Sequence, residues 1–531
     1  MTTVHEAFYE LLRAAGMTTV FGNPGSTELP LLDGFPEDFR YILGLQEAAA
    51  VAMADGYAQA TGRPALVVLH TAAGTGNGMG SIINAGAANS PLVIIAGQQA
   101  REMIKTEAVL TNVGGAELPK PAVKGSYEAA RPEDVPAAVA RAIQFAQLPP
   151  RGPVFVSIPQ DDWTATVDGD AMRQLRVRAV VGRTAPDPMA LETLATRLRT
   201  ARNPVLVIGS DVDAADAHRE AVALAERARM PVWLAPMPSR WGFPSDHPYF
   251  RGVLPSGIRT LAEKLAGHDL VLSVGTPVFR YMEYLPGPQL PPGADLVAIT
   301  SSPDEAARAT MGDAIIADPK LALAALLRLV PASDRAEPTG REKPQAVTDE
   351  TDQLSPEGVF ETLNSSVPPD TVMVNESTSN VWPFWERVSL TPPGGYYFPG
   401  AGGLGFGLAG AVGVQLADPS RPVIGVMGDG AVHYGATAFW SARHHGIPVT
   451  WLVLRNGEYG ALKNLTGLMG VHDIPGLELS GLDTTAVATA YGVESVLVHG
   501  RDELAAALKR AVAADTPQVV EVPVFTRSPY A

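Results

Sequence analysis

Three oxygen donors of the kind that bind a hard cation converge in the last third of the sequence. An apolar run, residues 423–427, leads into Gly428-Asp429-Gly430. The next such run, residues 449–454, ends just before Asn456, twenty-seven positions after Asp429. As neighbouring parallel strands, the two runs would bring their C-terminal ends together, in the crevice where open α/β sheets place ligands. Asp429 and Asn456 then offer two oxygen ligands, and the backbone carbonyl of Glu458 a third. Magnesium suits such a set, because it takes a few protein oxygens and completes its octahedron with phosphate and water. The flanking glycines let backbone approach a diphosphate closely, and a helix from about Tyr434 turns its N-terminus toward it. A lone Gly-Asp-Gly is usually only a tight turn. The paired spacing between strand ends is what marks this one as a metal and diphosphate site.

Two titratable residues in the first third stand at comparable positions. Residues 41–45 read as a strand, and Glu47 opens the small-residue helix that follows. A carboxyl there is either an ordinary helix-start acid or a group that shares a proton with a ligand. His70 closes another apolar run, 65–70, and has the titration range for proton transfer.

The elements that must position these residues are strands and helices in alternation. Short β-branched runs alternate with Ala-rich helical stretches almost from end to end, the pattern of parallel α/β sheets. The length of 531 residues is too great for one ordinary core. A segment rich in charge and proline, 331–356, reads as a linker. The expectation is three doubly wound parallel-sheet domains, near 1–180, 181–340 and 341–531. The chain is 46% hydrophobic and 18% charged, with formal net charge −16, which argues against nucleic acid or an anionic membrane surface as a partner. It has no cysteine, which excludes thiol catalysis and thiolate metal sites. The first sixteen residues read as an amphipathic helix rather than a signal peptide, no uncharged run reaches membrane-span length, and the expected compartment is cytoplasmic.

The Gly-Asp-Gly…Asn pair resembles the fingerprint of thiamine-diphosphate-dependent enzymes, although the closing pair is Arg455-Asn456 rather than Asn-Asn. Further segments, Phe21-Gly22-Asn23-Pro24-Gly25-Ser26 and Asn375-Glu376-Ser377-Thr378-Ser379 among them, extend the resemblance over essentially the whole chain. The chain is similar to the 2-keto acid decarboxylases of that family, in the branch acting on aromatic substrates such as benzoylformate. The resemblance implies thiamine diphosphate and Mg2+ as cofactors. It makes Glu47 the carboxyl that pushes the aminopyrimidine into its imino form. Gly402 would supply a carbonyl to the pyrimidine, and Leu404 the apolar side chain that bends the cofactor. Thr378, Gly428, Asp429, Gly430, Ala431, Tyr434 and Asn456 complete the cofactor set, with Asp429, Asn456 and Glu458 on the metal. Ser26 would bind the substrate carboxylate, His70 would move protons near its carbonyl, and Ala461, Leu465 and Met282 would line the pocket. The pyrimidine half of one chain is expected to meet the diphosphate half of another, in a homodimer or homotetramer.

Three departures stand out. Met282 replaces a second catalytic histidine, Lys463-Asn464-Leu465 replaces a more aromatic pocket segment, and Ala431 replaces a serine. A weaker proton relay at Met282 would let the reactive carbon persist and attack an aldehyde. The expected activity is therefore decarboxylation of an aromatic 2-keto acid with a carboligase side activity. The alternatives are an aldehyde carboligase or lyase forming 2-hydroxyketones, or a decarboxylase of another 2-keto acid. A catalytically dead subunit should lack Glu47 or Asp429. The glycines of 74–80 have the wrong spacing for a nicotinamide fingerprint.

Overall fold

The computed structural model describes residues 2–342, 344–347, 349 and 353–525. It contains three six-stranded sheets, each wholly parallel and covered by helices. The first holds β1 (Thr19–Gly22), β2 (Arg40–Leu43), β3 (Ala65–Leu69), β4 (Leu92–Gln98), β5 (Gly125–Glu128) and β6 (Val154–Pro159), in the order β2-β1-β3-β4-β6-β5. The second holds β7 (Pro204–Ile208), β8 (Val232–Leu234), β9 (Phe250–Val253), β10 (Leu270–Val274), β11 (Asp295–Thr300) and β12 (Asp313–Ile316), ordered β9-β8-β7-β10-β11-β12. The third holds β13 (Val372–Glu376), β14 (Tyr396–Tyr397), β15 (Val423–Gly428), β16 (Thr450–Arg455), β17 (Glu494–Leu497) and β18 (Gln518–Pro523), ordered β14-β13-β15-β16-β18-β17. Central strands such as β15 and β16 are buried along almost their whole length, which is why they read as continuous apolar runs.

In each sheet the strand order reverses beside its first strand, and open sheets take ligands at such a switch point. The first sheet reverses between β1 and β3, so residues 23–28 and His70 share one crevice. The third reverses between β13 and β15, so Thr378 and Asp429 share another.

Six helices set the geometry of these crevices: α1 (Glu47–Thr61), α2 (Thr71–Ala87), α3 (Phe406–Ala417), α4 (Asp429–Gly435), α5 (Thr437–His445) and α6 (Gly460–Met469). Helix α3 joins the first and third domains by packing against α1 at glycines. A Cβ on Gly413 would lie 1.8 Å from the Met53 carbonyl oxygen, and one on Gly56 would lie 2.2 Å from that of Gly410. This contact explains why α3 is apolar all round and buried along most of its length. None of the described helices is long and apolar enough to cross a membrane.

Candidate active site

At the edge of the third sheet, register sets the geometry. Gly428 pairs with Leu454 across β15 and β16, so Asp429 and Asn456 emerge side by side. Asp429 is 2% exposed and opens α4. The helix therefore starts five residues before the expected position near Tyr434, because Gly428 in extended conformation serves as its N-cap. The Asp429 carboxylate accepts from the backbone N–H of Gly430 at 2.9 Å and of Gly457 at 2.8 Å. Burial raises its pKa against the lowering effect of those bonds. A buried carboxylate raised by desolvation, beside an amide oxygen, suits a hard divalent cation whose charge offsets the burial. Asn456 Oδ1 accepts from Glu458 N at 3.2 Å, which turns the loop over the site. The Glu458 side chain pairs with Lys463, as does Glu478, so one lysine ties the metal loop to the segment crossing above it. Ala431 is buried in the core.

Thr378 stands exposed at the end of β13 in the same crevice. Gly402 has φ +76° and no atom within 4 Å of where its Cβ would be, so the backbone there is open to a ligand. Leu404 is half-buried beside it, and Tyr434 packs its backbone against Gly405, within 3.2 Å of a Cβ placed there. Ala461 and Leu465 lie four positions apart on α6, on one face.

At the edge of the first sheet, Glu47 is 7% exposed. Its Oε1 accepts from Asn23 Nδ2 at 3.2 Å and its Oε2 from Asn77 Nδ2 at 3.1 Å. Gly74 and Gly78 let α2 approach it, since a Cβ on Gly74 would sit 3.2 Å from Glu47 Oε1. Ser26 is exposed in the same crevice. His70 caps the start of α2, with Nδ1 2.9 Å from Glu28 Oε2 and 3.1 Å from Thr27 Oγ1. Glu28 is 1% exposed and also takes the Thr27 hydroxyl at 2.6 Å and Gly25 N–H at 2.9 Å. A carboxylate facing Nδ1 places the ring proton there and leaves Nε2 for exchange. Sequence reasoning missed Glu28. Its only signal is an acid two residues from Ser26, and its partner is 42 positions away.

The structure thus gathers Ser26, Glu47 and His70 in one cluster, and Thr378, Gly402, Leu404, Gly428 to Ala431, Tyr434, Asn456 and Glu458 in another. It does not bring the two together within one chain. His445 ends α5, and its Nε2 accepts the backbone N–H of Leu43, four residues before Glu47, at 2.9 Å. Asp429 begins α4, and two successive helices, α4 and α5, run between it and His445. His445 is accordingly a contact between the first and third domains. Met282 lies with the second cluster. It is 57% exposed and lines a cavity of about 870 Å³ together with Arg280, Phe398 and Gly402.

Three doubly wound domains, with an oxygen-donor cradle at one switch point and a buried Glu at another, define an enzyme class that holds a diphosphate cofactor through a metal. Comparison with known proteins agrees in every domain. Residues 2–117 match the model of the thiamine pyrophosphate enzyme N-terminal TPP binding domain, 191–326 that of the central domain, and 378–522 that of the C-terminal TPP binding domain. A benzoylformate decarboxylase of Pseudomonas aeruginosa is 54% identical over 529 residues, covering 100% of both chains. The structure of a thiamine diphosphate-dependent 4-hydroxybenzoylformate decarboxylase from Rhodococcus jostii superimposes with TM-score 0.97 at 47% identity, over 99% of this chain and 100% of that one. A benzoylformate decarboxylase from Polynucleobacter necessarius gives TM-score 0.98 at 39% identity, covering 100% of both. The chain belongs to the thiamine-diphosphate-dependent 2-keto acid decarboxylase family, and it is a carbon–carbon lyase that uses thiamine diphosphate and Mg2+.

Proposed function

We propose that this chain is a cytoplasmic enzyme that converts an aromatic 2-keto acid, benzoylformate or a close relative, to the aldehyde and carbon dioxide, with carboligation of aldehydes as a side activity. One observation carries the reading. An exposed Ser26 stands beside a His70 with its proton set on Nδ1, next to a buried Glu47, in a chain 54% identical throughout to a benzoylformate decarboxylase.

Bound thiamine diphosphate supplies the nucleophilic carbon and the electron sink. Asp429, Asn456 and the Glu458 carbonyl would hold the magnesium. Backbone N–H groups from Gly428 to Ala431 would meet the diphosphate. The Gly402 carbonyl, Leu404, Thr378 and Tyr434 would fix the rest of the cofactor. Glu47 holds a proton at a pyrimidine ring nitrogen, and Asn23 and Asn77 fix its two oxygens. The Ser26 hydroxyl donates to the substrate carboxylate, and His70 Nε2 exchanges a proton at the carbonyl oxygen. Ala461 and Leu465 receive the aryl group, and Met282 closes the pocket.

A second copy of the chain completes the site, as a dimer or tetramer. The placement of the two clusters on different sheets, with α4 and α5 between Asp429 and the Leu43 contact, supports this. So do exposed apolar side chains near both crevices: Leu29, Leu45 and Leu110 near one, Tyr434, Leu462 and Ile474 near the other. Met282 supports a second reading, a carboligase that releases aldehyde slowly, because a thioether cannot relay a proton.

Product analysis separates the two. With thiamine diphosphate and Mg2+, rapid benzaldehyde and carbon dioxide from benzoylformate, with little from pyruvate, are expected. Negligible turnover of either acid, but hydroxyketone from aldehydes, would replace the first reading with the second.

A further inference from the structure

Residues 400–405, which present Gly402 and Leu404, are gripped from all three domains. From the middle domain, Arg280 Nη1 donates to the Gly400 carbonyl at 2.7 Å, and its Nη2 donates to the Ala87 carbonyl at 2.8 Å. From the third domain, Glu376 accepts from Gly405 N at 2.6 Å and from Gly407 N. From the first domain comes Asn84, on α2 and 2% exposed. Its Oδ1 accepts from Ala401 N at 3.2 Å and Gly403 N at 3.1 Å, and its Nδ2 donates to the Gly403 carbonyl at 2.8 Å.

One amide side chain therefore holds both neighbours of Gly402, whose own N–H donates to the Pro399 carbonyl at 3.2 Å. The fit is close. A Cβ on Gly400 would lie 2.5 Å from Ala88 N, and one on Gly403 would lie 3.1 Å from Asn84 Nδ2. A buried Asn in the last turn of α2 is a poor helix former, so its side-chain bonds, not its propensity, account for its place there. The Gly402 carbonyl shares a peptide plane with the Gly403 N–H, which Asn84 Oδ1 accepts at 3.1 Å. The direction of that carbonyl is set by the peptides on either side.

We propose that Asn84 is a positioning residue for the cofactor's pyrimidine, acting across the domain boundary on the Gly402 carbonyl and Leu404. Asn77, which holds Glu47, is seven positions earlier on α2, on the same face and about 10 Å along the axis. One rigid helix thus sets both the catalytic carboxylate and the carbonyl that faces the aminopyrimidine. In an assembly in which two chains share each site, these belong to two different sites. The proposal rests on the assignment of Gly402 to the pyrimidine.

The test separates the two halves of the cofactor. Calorimetry on full-length, cofactor-free protein with Mg2+ would use two probes, thiamine diphosphate and inorganic diphosphate. Inorganic diphosphate reaches only the Asp429–Asn456 cradle. Asn84→Ala should weaken thiamine diphosphate by at least about tenfold, equivalent to about 1.4 kcal/mol, and leave inorganic diphosphate within about twofold. Asn84→Asp keeps the Oδ1 acceptor for both N–H groups and should recover part of the loss. It also carries the comparison if the alanine variant does not fold. Unchanged binding of both probes, or equal weakening of both, would overturn the proposal. Equal affinity of the wild-type protein for the two probes would instead remove the assignment of Gly402 to the pyrimidine.

Discussion

Glu28→Gln isolates the charge behind His70. The carboxylate is 1% exposed and accepts three bonds, from the Thr27 hydroxyl at 2.6 Å, Gly25 N–H at 2.9 Å and His70 Nδ1–H at 2.9 Å. Glutamine keeps the shape and replaces one oxygen with an NH2 group. With that group at the Oε2 position it would face two donors. With it at the Oε1 position it would face only Thr27, whose hydroxyl can turn and accept. The second placement leaves a neutral oxygen for His70 and Gly25. A bond to a charged acceptor contributes about 1.5–3 kcal/mol and a neutral one about 0.5–1.5, so the loss is about 1–2 kcal/mol. Expressed in the transition state, this lowers kcat/KM for benzoylformate about 5- to 30-fold. Thiamine diphosphate affinity should not change, because among the described residues Glu28 bonds to Gly25, Thr27 and His70 and to no residue of the cofactor cradle. Steady-state kinetics with calorimetric cofactor titration give both numbers. A Glu28→Gln enzyme within about twofold of wild type, or one that loses cofactor affinity in step with turnover, would refute the reasoning.

Met282→His restores a proton relay at a position 57% exposed, where an imidazole displaces nothing. The ratio of benzaldehyde to hydroxyketone from benzoylformate plus acetaldehyde should rise, and an unchanged ratio would remove Met282 as the control point. His445 makes a pH prediction. Burial, then the neighbouring His444 and Arg40, push its pKa down to about 4, so it stays a neutral acceptor for Leu43 N–H. The unfolded chain takes up that proton first as pH falls from about 6.5. The stabilisation is therefore complete above about 6.5 and lost as pH falls toward 4, by at most about 3 kcal/mol and less because the ring is partly exposed. The difference in Tm between wild type and His445→Ala should shrink from pH 7 to pH 4.5, and parallel curves would contradict it.

Strand legibility in the sequence followed burial. Central strands such as β4, β15 and β16 announce themselves as apolar runs because both faces are covered. Each sheet hid one edge strand: β5, β9 and β14. Gly125-Ser126-Tyr127-Glu128 is nowhere fully buried, and Tyr396–Tyr397 is two residues long, so neither carries a pattern to read. Local motifs were legible wherever spacing along the chain matched spacing across a sheet, as with Asp429 and Asn456. Glu28 and Asn84 were not, because their partners, His70 and Gly403, are 42 and 319 positions away and only the fold supplies them. The start of α4 was placed late because Gly-Asp-Gly reads as a turn, whereas Gly428 is a cap and Asp429 already helical.

Glu47 of one chain and Asp429 of another are proposed to build one decarboxylating site. Mixing two inactive variants, Glu47→Gln and Asp429→Ala, under conditions of subunit exchange tests it most directly. Each variant alone should fail to turn over benzoylformate. In mixed dimers one of the two sites receives both intact residues, so an equal mixture should regain about a quarter of wild-type activity. A mixture that forms mixed dimers yet stays inactive, or a variant that turns over benzoylformate on its own, would contradict the account.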